Sequence, residues 1–241
     1  MIHKDIFFHS RRRPGAGVRI GAILFLMSIA AAAGFGGAKA ESPAPMAENQ
    51  TEVDAAAAAP MEGTESAVFA GGCFWGVEAV FERLDGVLEV ASGYSGGEEN
   101  TAHYNLVGTG TTGHAESVRI VYDPKRISYS VLLEVFFNVA HDPTQLNYQG
   151  PDKGTQYRSA VFYTNDEQKR MTQQYIKQLE AGGDFAGPIV TQVAALEAFY
   201  PAEEYHQDFM RRNPRHPYIL YWDVPKITRL EEAYPELLAR Q

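Results

Sequence analysis

Residues 67–84 read AVFAGGCFWGVEAVFERL, and they contain the transition that decides the fold. The first four residues are a short apolar run that stops at Gly71-Gly72, which is typical of a buried strand followed by a turn. Beyond the turn, apolar side chains recur at helical spacing at Phe74, Val77, Phe81 and Leu84. The stretch therefore predicts a strand that passes directly into a helix, with Cys73 at the junction.

The same periodicities continue along the chain and predict a two-layer α/β fold. Alternating or apolar runs indicate strands at 87–93, 115–122, 158–163 and 189–196. Helices are expected at 128–139, capped by Ser128, and at 164–182, opened by the capping box Thr164-x-x-Glu167. The order β-α-β-β-α-β, then α-β, predicts a ferredoxin-like (split βαβ) sandwich with a mixed sheet.

Three further segments complete this prediction. Residues 94–113 and 141–156 are expected to be long loops, and loops of that length inside a compact domain are often functional. Beyond Asp208 we expect mainly loop, with a short helix near 229–238.

The N-terminus has the pattern of a secretory signal peptide. Basic residues are concentrated in residues 1–19, an apolar run follows from Ile20 to about Phe35, and Ala38-Lys39-Ala40 is a small-x-small cleavage motif. We expect a signal peptide at 1–40, a flexible Ala/Pro/Glu-rich linker at 41–65, and a folded domain at 66–241. The protein is then exported, to the periplasm, with an uncleaved membrane anchor as the alternative.

Charge and cysteine content narrow the functional classes. The net charge of the 241 residues is −9, and it becomes −14 once residues 1–40, with six basic residues and one acidic residue, are removed. Such a domain repels nucleic acid, and we expect a monomer that binds none. Because Cys73 is the only cysteine, the fold has no internal disulfide.

Cys73 lies where a strand is expected to turn into a helix. The first backbone N–H groups of a helix are unpaired and carry partial positive charge, which favours a thiolate, so we expect a lowered pKa for Cys73. Phe74 and Trp75 follow directly and could wall a small apolar pocket beside the sulfur.

Four motifs together resemble the peptide-methionine sulfoxide reductase A family. They are GCFWG at 72–76, GYSGG at 93–97, GHAE at 113–116 and GTQYRS at 154–159, in the family's order and spacing, and the likeness extends over about residues 67–225. The resemblance implies that 66–241 is a catalytic reductase domain with a C-terminal extension. It implies reduction of the S epimer of methionine sulfoxide, free or in proteins, as a repair of oxidised proteins. It also implies that no cofactor or metal is bound.

By the same resemblance, Cys73 is the nucleophile and Glu116 the acid. Reduction of a sulfoxide needs a nucleophile for its sulfur and a proton for its oxygen. A carboxyl group in an apolar pocket has a raised pKa and can hold that proton. The attack leaves a sulfenic acid on Cys73.

The resemblance assigns five further residues to the site. Tyr104 and Tyr157 match the two tyrosines whose hydroxyls bind the sulfoxide oxygen, and Asp152 matches a supporting aspartate. Phe74 and Trp75 match the pocket for the methyl group, since aromatic walls suit a neutral methyl-sulfur unit.

Many members of the family use further cysteines to reduce the sulfenic acid, and this chain has none. The reductant is therefore expected from outside, as a thioredoxin-fold protein or as glutathione with a glutaredoxin.

Several alternatives remain at the level of sequence. Residues 93–97 also fit the G-x-S-x-G elbow of serine hydrolases, although a loop follows where that motif needs a helix. A thiol hydrolase or transpeptidase would pair Cys73 with a histidine. A non-catalytic domain that binds methionine-containing peptides would not depend on Cys73.

Overall fold

The structure is a computed structural model, and it describes residues 63–240. The predicted signal peptide at 1–40 and all but the end of the linker at 41–65 lie outside the described residues. Regular structure begins at Glu65, one residue before the expected start of the domain.

A six-stranded sheet forms the centre of the domain. Its strands are β1 (Glu65–Gly71), β2 (Val87–Ser95), β3 (Ala115–Tyr122), β6 (Ser159–Tyr163), β7 (Gln192–Ala195) and β8 (Tyr200–Pro201). Two short strands, β4 (Tyr148–Gln149) and β5 (Asp152–Lys153), form a separate hairpin.

The strand order in the sheet is β7-β6-β1-β3-β2-β8. All neighbouring strands are antiparallel except β6 and β7, which are parallel, so the sheet is mixed as predicted. Central β1 lies between β3 and β6, and it therefore carries the following Cys73 to the middle of one sheet edge.

Six helices accompany the sheet within the described residues. They are α1 (Phe74–Phe81), α2 (Tyr104–Val107), α3 (Tyr129–Val135), α4 (Asp166–Gly182), α5 (Phe209–Arg212) and α6 (Val224–Ala233). A turn of π-helix at Phe136–Ala140 extends α3, and another at Ile219–Asp223 leads into α6. None of the helices described here is both long and apolar enough to cross a membrane.

The main core lies between the sheet and helices α1 and α3. Phe69 of β1 stacks on Phe136 with ring centroids 4.7 Å apart, and it also contacts Phe81 and Tyr129. Each such buried side chain stabilises the fold by about 1.5–3 kcal/mol. This packing fixes α1 against the end of β1 and so fixes the junction at Cys73.

Of the two predicted helix caps, one is confirmed and one is corrected. Ser128 caps α3 as expected, because its side chain accepts a hydrogen bond from the Val131 N–H. The cap of α4 is Asn165 rather than Thr164, since the Asn165 side chain accepts the N–H of Gln168. An amide oxygen one residue later competes successfully for the same unpaired donors.

The expectation of mainly loop beyond Asp208 is wrong, although the short helix expected near 229–238 overlaps the end of α6 and a 3₁₀ turn at Pro235–Leu237. Residues 209–233 form α5, a π-turn and α6, and α6 buries Ile227 and Leu230 against the core. The apolar spacing is short and irregular here, so only packing against α1 reveals it as helix. Residues 99–107 likewise contain a 3₁₀ turn and α2 where loop was expected.

Candidate active site

Cys73 is the N-cap residue of α1 and lies at the base of a cavity. Gly72 precedes it with φ +92°, a conformation that L side chains rarely adopt, so the turn requires glycine. The Cys73 side chain is only 9% exposed. Cys73 is one of the residues that line this cavity.

Glu116 meets the first turn of α1 from the neighbouring strand. It lies on β3, opposite Tyr94 of β2, and its Oε2 accepts the Phe74 N–H at 3.1 Å. Burial raises the pKa of Glu116 to about 8, and the negative charge of Asp152 adds to the rise while the Phe74 bond opposes it. At neutral pH this carboxyl group holds a proton that it can donate.

The expected low pKa of Cys73 is not found. Burial raises the pKa of its thiol well above the ordinary value, and the negative charges of Glu116 and Asp223 raise it further. The Trp75 N–H and the Lys226 ammonium act in the opposite direction without reversing the shift. The helix terminus does not dominate because the sulfur is desolvated and the Phe74 N–H is bonded to Glu116.

Tyr104, Tyr157 and Asp152 lie within electrostatic range of Cys73 and Glu116. Burial, followed by the charge of Glu116, raises the pKa of both tyrosines, and Cys73 and Asp152 act in the same direction. Both hydroxyl groups consequently stay protonated and remain hydrogen-bond donors.

Phe74 and Trp75 form an aromatic wall with residues from the end of the chain. Trp75 stacks on Phe209 with centroids 3.7 Å apart and donates its Nε1–H to His206 Nδ1 at 3.1 Å. The ring centroid of His206 lies 5.0 Å from that of Phe74 and 4.3 Å from that of Tyr104. The structure therefore places all seven predicted site residues in one region.

The sequence reasoning missed the residues that hold this region together. Tyr218 donates its hydroxyl to Asp152 Oδ2. Glu203 accepts the Tyr104 N–H at 2.9 Å and the Tyr94 hydroxyl at 2.8 Å, which fixes the start of α2. These hydrogen bonds join residues 66 to 109 positions apart in the sequence, so no local signal could have identified them.

The cavity above Cys73 has a volume of about 390 Å³. Its lining includes Asp152 and Tyr218 and, from the C-terminal segment, Tyr221, Trp222, Lys226 and Arg229. The segment that was expected to be loop thus forms one wall of the site.

Neither catalytic alternative has support in the described part of the chain. Ser95 is fully buried, which leaves no access for a serine hydrolase substrate. His141 lines the cavity, but its two ring nitrogens are bonded to the Phe136 carbonyl and the Ser159 hydroxyl. His206 Nδ1 is occupied by Trp75, and no hydrogen bond joins Cys73 to a histidine within residues 63–240.

Two kinds of comparison with known proteins support a single family. The family model for peptide methionine sulfoxide reductase matches residues 65–237. The protein named peptide methionine sulfoxide reductase MsrA 2 from Mesorhizobium japonicum is 54% identical over 179 residues, which cover 74% of this chain and 92% of that protein. A protein of the same name from Synechocystis is 57% identical over 179 residues, which cover 74% of this chain and 84% of that protein.

Solved structures agree with these sequence matches. The reduced form of Mxr1 from Saccharomyces cerevisiae superimposes with a TM-score of 0.59 and 34% identity, over 64% of this chain and 88% of that one. Methionine sulfoxide reductase A of Corynebacterium diphtheriae gives a TM-score of 0.58 and 34% identity, over 65% of this chain and 78% of that one. On the extent of the family match and the identity to these relatives, the chain belongs to the peptide methionine sulfoxide reductase family.

Proposed function

We propose that this chain reduces the S epimer of methionine sulfoxide, free or in proteins, through a sulfenic acid on Cys73. One observation carries the assignment of roles: Cys73 and a protonated Glu116 meet at the same helical turn, joined by the Phe74 N–H to Glu116 Oε2 bond of 3.1 Å. A nucleophile and an acid are thus positioned for the sulfur and the oxygen of one substrate group.

The chemistry follows from this pair. The Cys73 sulfur attacks the sulfoxide sulfur while Glu116 gives its proton to the oxygen, and the proton of the Cys73 thiol passes to the Glu116 carboxylate. The oxygen then leaves the substrate for Cys73, whose thiol is oxidised to a sulfenic acid as the sulfoxide is reduced to a thioether. Tyr104 and Tyr157 donate hydrogen bonds to the oxygen as negative charge develops on it.

Phe74 and Trp75 supply the apolar surface for the substrate methyl group. The stacking of Trp75 on Phe209 and its bond to His206 hold the indole in one orientation. Asp152 fixes Tyr218 at the cavity wall and, by its charge, helps to keep Glu116 protonated.

An external thiol completes the cycle, because no second cysteine is present. The candidates are a thioredoxin-fold protein and glutathione with a glutaredoxin. The leader pattern in residues 1–40 supports export, and we place the activity in the periplasm. The strand order β6-β1-β3-β2, all antiparallel, supports a split βαβ core.

The test is a single turnover without reductant. Equimolar L-methionine S-sulfoxide should yield one methionine and one Cys73 sulfenic acid, trapped by dimedone and located by mass spectrometry. Cys73→Ser should yield neither, and Glu116→Gln should slow the step by about 10²- to 10⁴-fold, the usual contribution of a general acid.

The R epimer is the matched control and should give no adduct. Retention of activity in Glu116→Gln would favour a thiol hydrolase, and function that survives Cys73→Ser would favour a peptide-binding domain. A folded protein that forms no adduct with the S epimer would contradict the proposal.

A further inference from the structure

We propose that the α6 wall of the Cys73 cavity binds the carboxylates of a small peptide thiol, which reduces the Cys73 sulfenic acid. The inference rests on the proposed function, because it concerns the second half of that catalytic cycle. It commits to a low-molecular-weight thiol rather than a protein as the direct reductant.

The burial of Cys73 favours a small reductant. A thiol must approach the sulfur closely to form a disulfide, and this sulfur is nine-tenths buried at the base of the cavity. The volume of about 390 Å³ lies within the range of about 300–1,000 Å³ typical of sites for small molecules. A cysteine held on the surface of a folded protein cannot follow the same path unless the cavity opens.

Two cations on α6 line this cavity, one turn apart. Arg229 is exposed and makes no hydrogen bond or ion pair with any residue in 63–240. Lys226 Nζ donates to Asp223 Oδ1 at 3.1 Å, which uses one of its three N–H donors. An unpaired guanidinium beside an ammonium suits carboxylates, which arginine binds in a bidentate manner.

The position of Lys226 is not explained by helix stability. Gly76 of α1 leaves room for the Asp223–Lys226 pair, since a Cβ on it would overlap Asp223 Oδ1 and lie 2.7 Å from Lys226 Nζ. The ammonium therefore sits at the N-terminal end of α1, where the helix dipole disfavours a cation. Its charge is shared with buried Asp223, and the two remaining N–H donors of Lys226 are left for an anion in the cavity.

Two carboxyl groups, Asp142 and Asp152, also line the cavity. Asp152 accepts a hydrogen bond from the Tyr218 hydroxyl, whereas Asp142 can complement a zwitterionic ligand. Although burial raises the pKa of Asp142, hydrogen bonds from Thr144 and Gln145 lower it below the ordinary value, so this carboxylate stays ionised. It can bind the ammonium group of a peptide whose carboxylates are held by Lys226 and Arg229.

The reaction needs two equivalents of thiol. The first attacks the sulfenic sulfur of Cys73, forms a mixed disulfide and releases the oxygen as water. The second attacks that disulfide, forms the symmetrical disulfide of the small thiol and returns Cys73 to its thiol. The sulfenic acid is reduced by two electrons, and the two thiols supply them.

The test compares glutathione with its diethyl ester, in which both carboxylates are masked. The Cys73 sulfenic acid is prepared at alkaline pH with excess hydrogen peroxide, because the buried thiol is protonated near neutral pH, and its formation is verified with dimedone before the peroxide is removed. Its loss after addition of the thiol is followed by dimedone quenching, with rates referred to thiolate concentration. In the wild type, glutathione should reduce the sulfenic acid about three- to fivefold faster than the diethyl ester does, as expected for exposed ion pairs. Arg229→Gln should abolish the preference and Arg229→Glu should invert it.

Arg240→Gln and Arg240→Glu are matched controls, because Arg240 is exposed and does not line the cavity. Lys226→Gln is a second test, although it leaves buried Asp223 unpaired, and its folding is checked by circular dichroism. Equal rates for the two thiols in wild type, or an unchanged preference in Arg229→Glu, would overturn the inference. So would reduction by thioredoxin alone with glutathione inert.

These results are independent of the proposed function. Peroxide produces the sulfenic acid whether or not methionine sulfoxide does, so a failed single turnover leaves this measurement intact. Conversely, a normal single turnover with no preference between the two thiols would remove only the α6 site.

Discussion

At the scale of single residues, the site is governed by two buried acids, and the charge of Glu116 raises the pKa of Cys73. Cys73 and Glu116 share a desolvated environment, and the negative charge of Glu116 disfavours a neighbouring thiolate. Both groups are therefore protonated in the substrate-free enzyme near neutral pH. Transfer of the Glu116 proton to a sulfoxide oxygen needs no thiolate at rest, and it makes the substrate sulfur more susceptible to attack.

The raised pKa of Glu116 predicts a specific pH dependence of stability. Because the folded state binds this proton more tightly than the unfolded state, the stabilisation is complete below about pH 4.5 and is lost as pH rises to about 8. The loss amounts to about 3–5 kcal/mol at one pKa unit per 1.36 kcal/mol. Glu116→Gln keeps an acceptor for the Phe74 N–H and has no carboxyl group to ionise, so its unfolding free energy should not show this loss.

The measurement is urea unfolding of both proteins between pH 5 and pH 9. The difference in unfolding free energy, variant minus wild type, should grow in favour of Glu116→Gln across this range. A difference that does not change with pH would show that Glu116 ionises normally in the folded protein.

At the scale of elements, α1 and α6 are joined through Gly76. The Asp223–Lys226 ion pair occupies the space next to Gly76 where a side chain would otherwise lie. The Asp223 side chain is fully buried, and that of Lys226 is 16% exposed. A buried pair of this kind is costly to disrupt, since removal of one partner leaves an uncompensated charge. The contact sets the position of the C-terminal segment against the helix that carries Cys73.

Gly76→Ala provides a test in which two effects have opposite signs. Helix propensity alone would stabilise α1 by about 1 kcal/mol. The added Cβ, however, would overlap Asp223 Oδ1 and force the ion pair away, at a cost of about 1–3 kcal/mol or more. We expect net destabilisation in thermal unfolding and a loss of Cys73 reactivity.

Ala79→Gly on the same helix is a comparison variant that should destabilise through lost helix propensity and the loss of one buried methyl group, because Ala79 is not among the atoms that a Cβ on Gly76 would meet. A Gly76→Ala variant that is more stable than wild type would mean that α6 does not dock closely against α1.

At the scale of the whole molecule, stability comes from one sheet and its apolar faces rather than from covalent links. Cys73 is the only cysteine, so no disulfide contributes. A single buried thiol also protects the molecule from intermolecular oxidation, because thiolate character and exposure control that reaction.

We therefore expect the native protein to remain a monomer without disulfide-linked dimers in air-saturated buffer. The thermal midpoint should be the same with and without dithiothreitol. The measurements are size-exclusion chromatography with light scattering, and non-reducing electrophoresis after alkylation. Dimers should form only after denaturation, which exposes Cys73; rapid covalent dimerisation of the folded protein would contradict its burial.

The sequence determined those features that depend on neighbouring residues. The passage from strand to helix across 67–84, the cap at Ser128 and the strands around Glu116 follow from periodicity and from unpaired backbone donors, which act over one or two turns. The family resemblance also gave seven candidate site residues, from Cys73 to Tyr157, and the fold places them in one region.

Only the tertiary structure decided the properties that depend on distant segments. The helical end of the chain, the Tyr218 bond to Asp152 and the docking of Lys226 on Gly76 each join residues far apart in sequence, so no local pattern contains them. The pKa of Cys73 belongs to the same class. The position of a helix terminus can be predicted from adjacent residues, but desolvation depends on every residue that packs around the sulfur. In Cys73 the desolvation that raises the thiol pKa outweighs the helix terminus that would lower it.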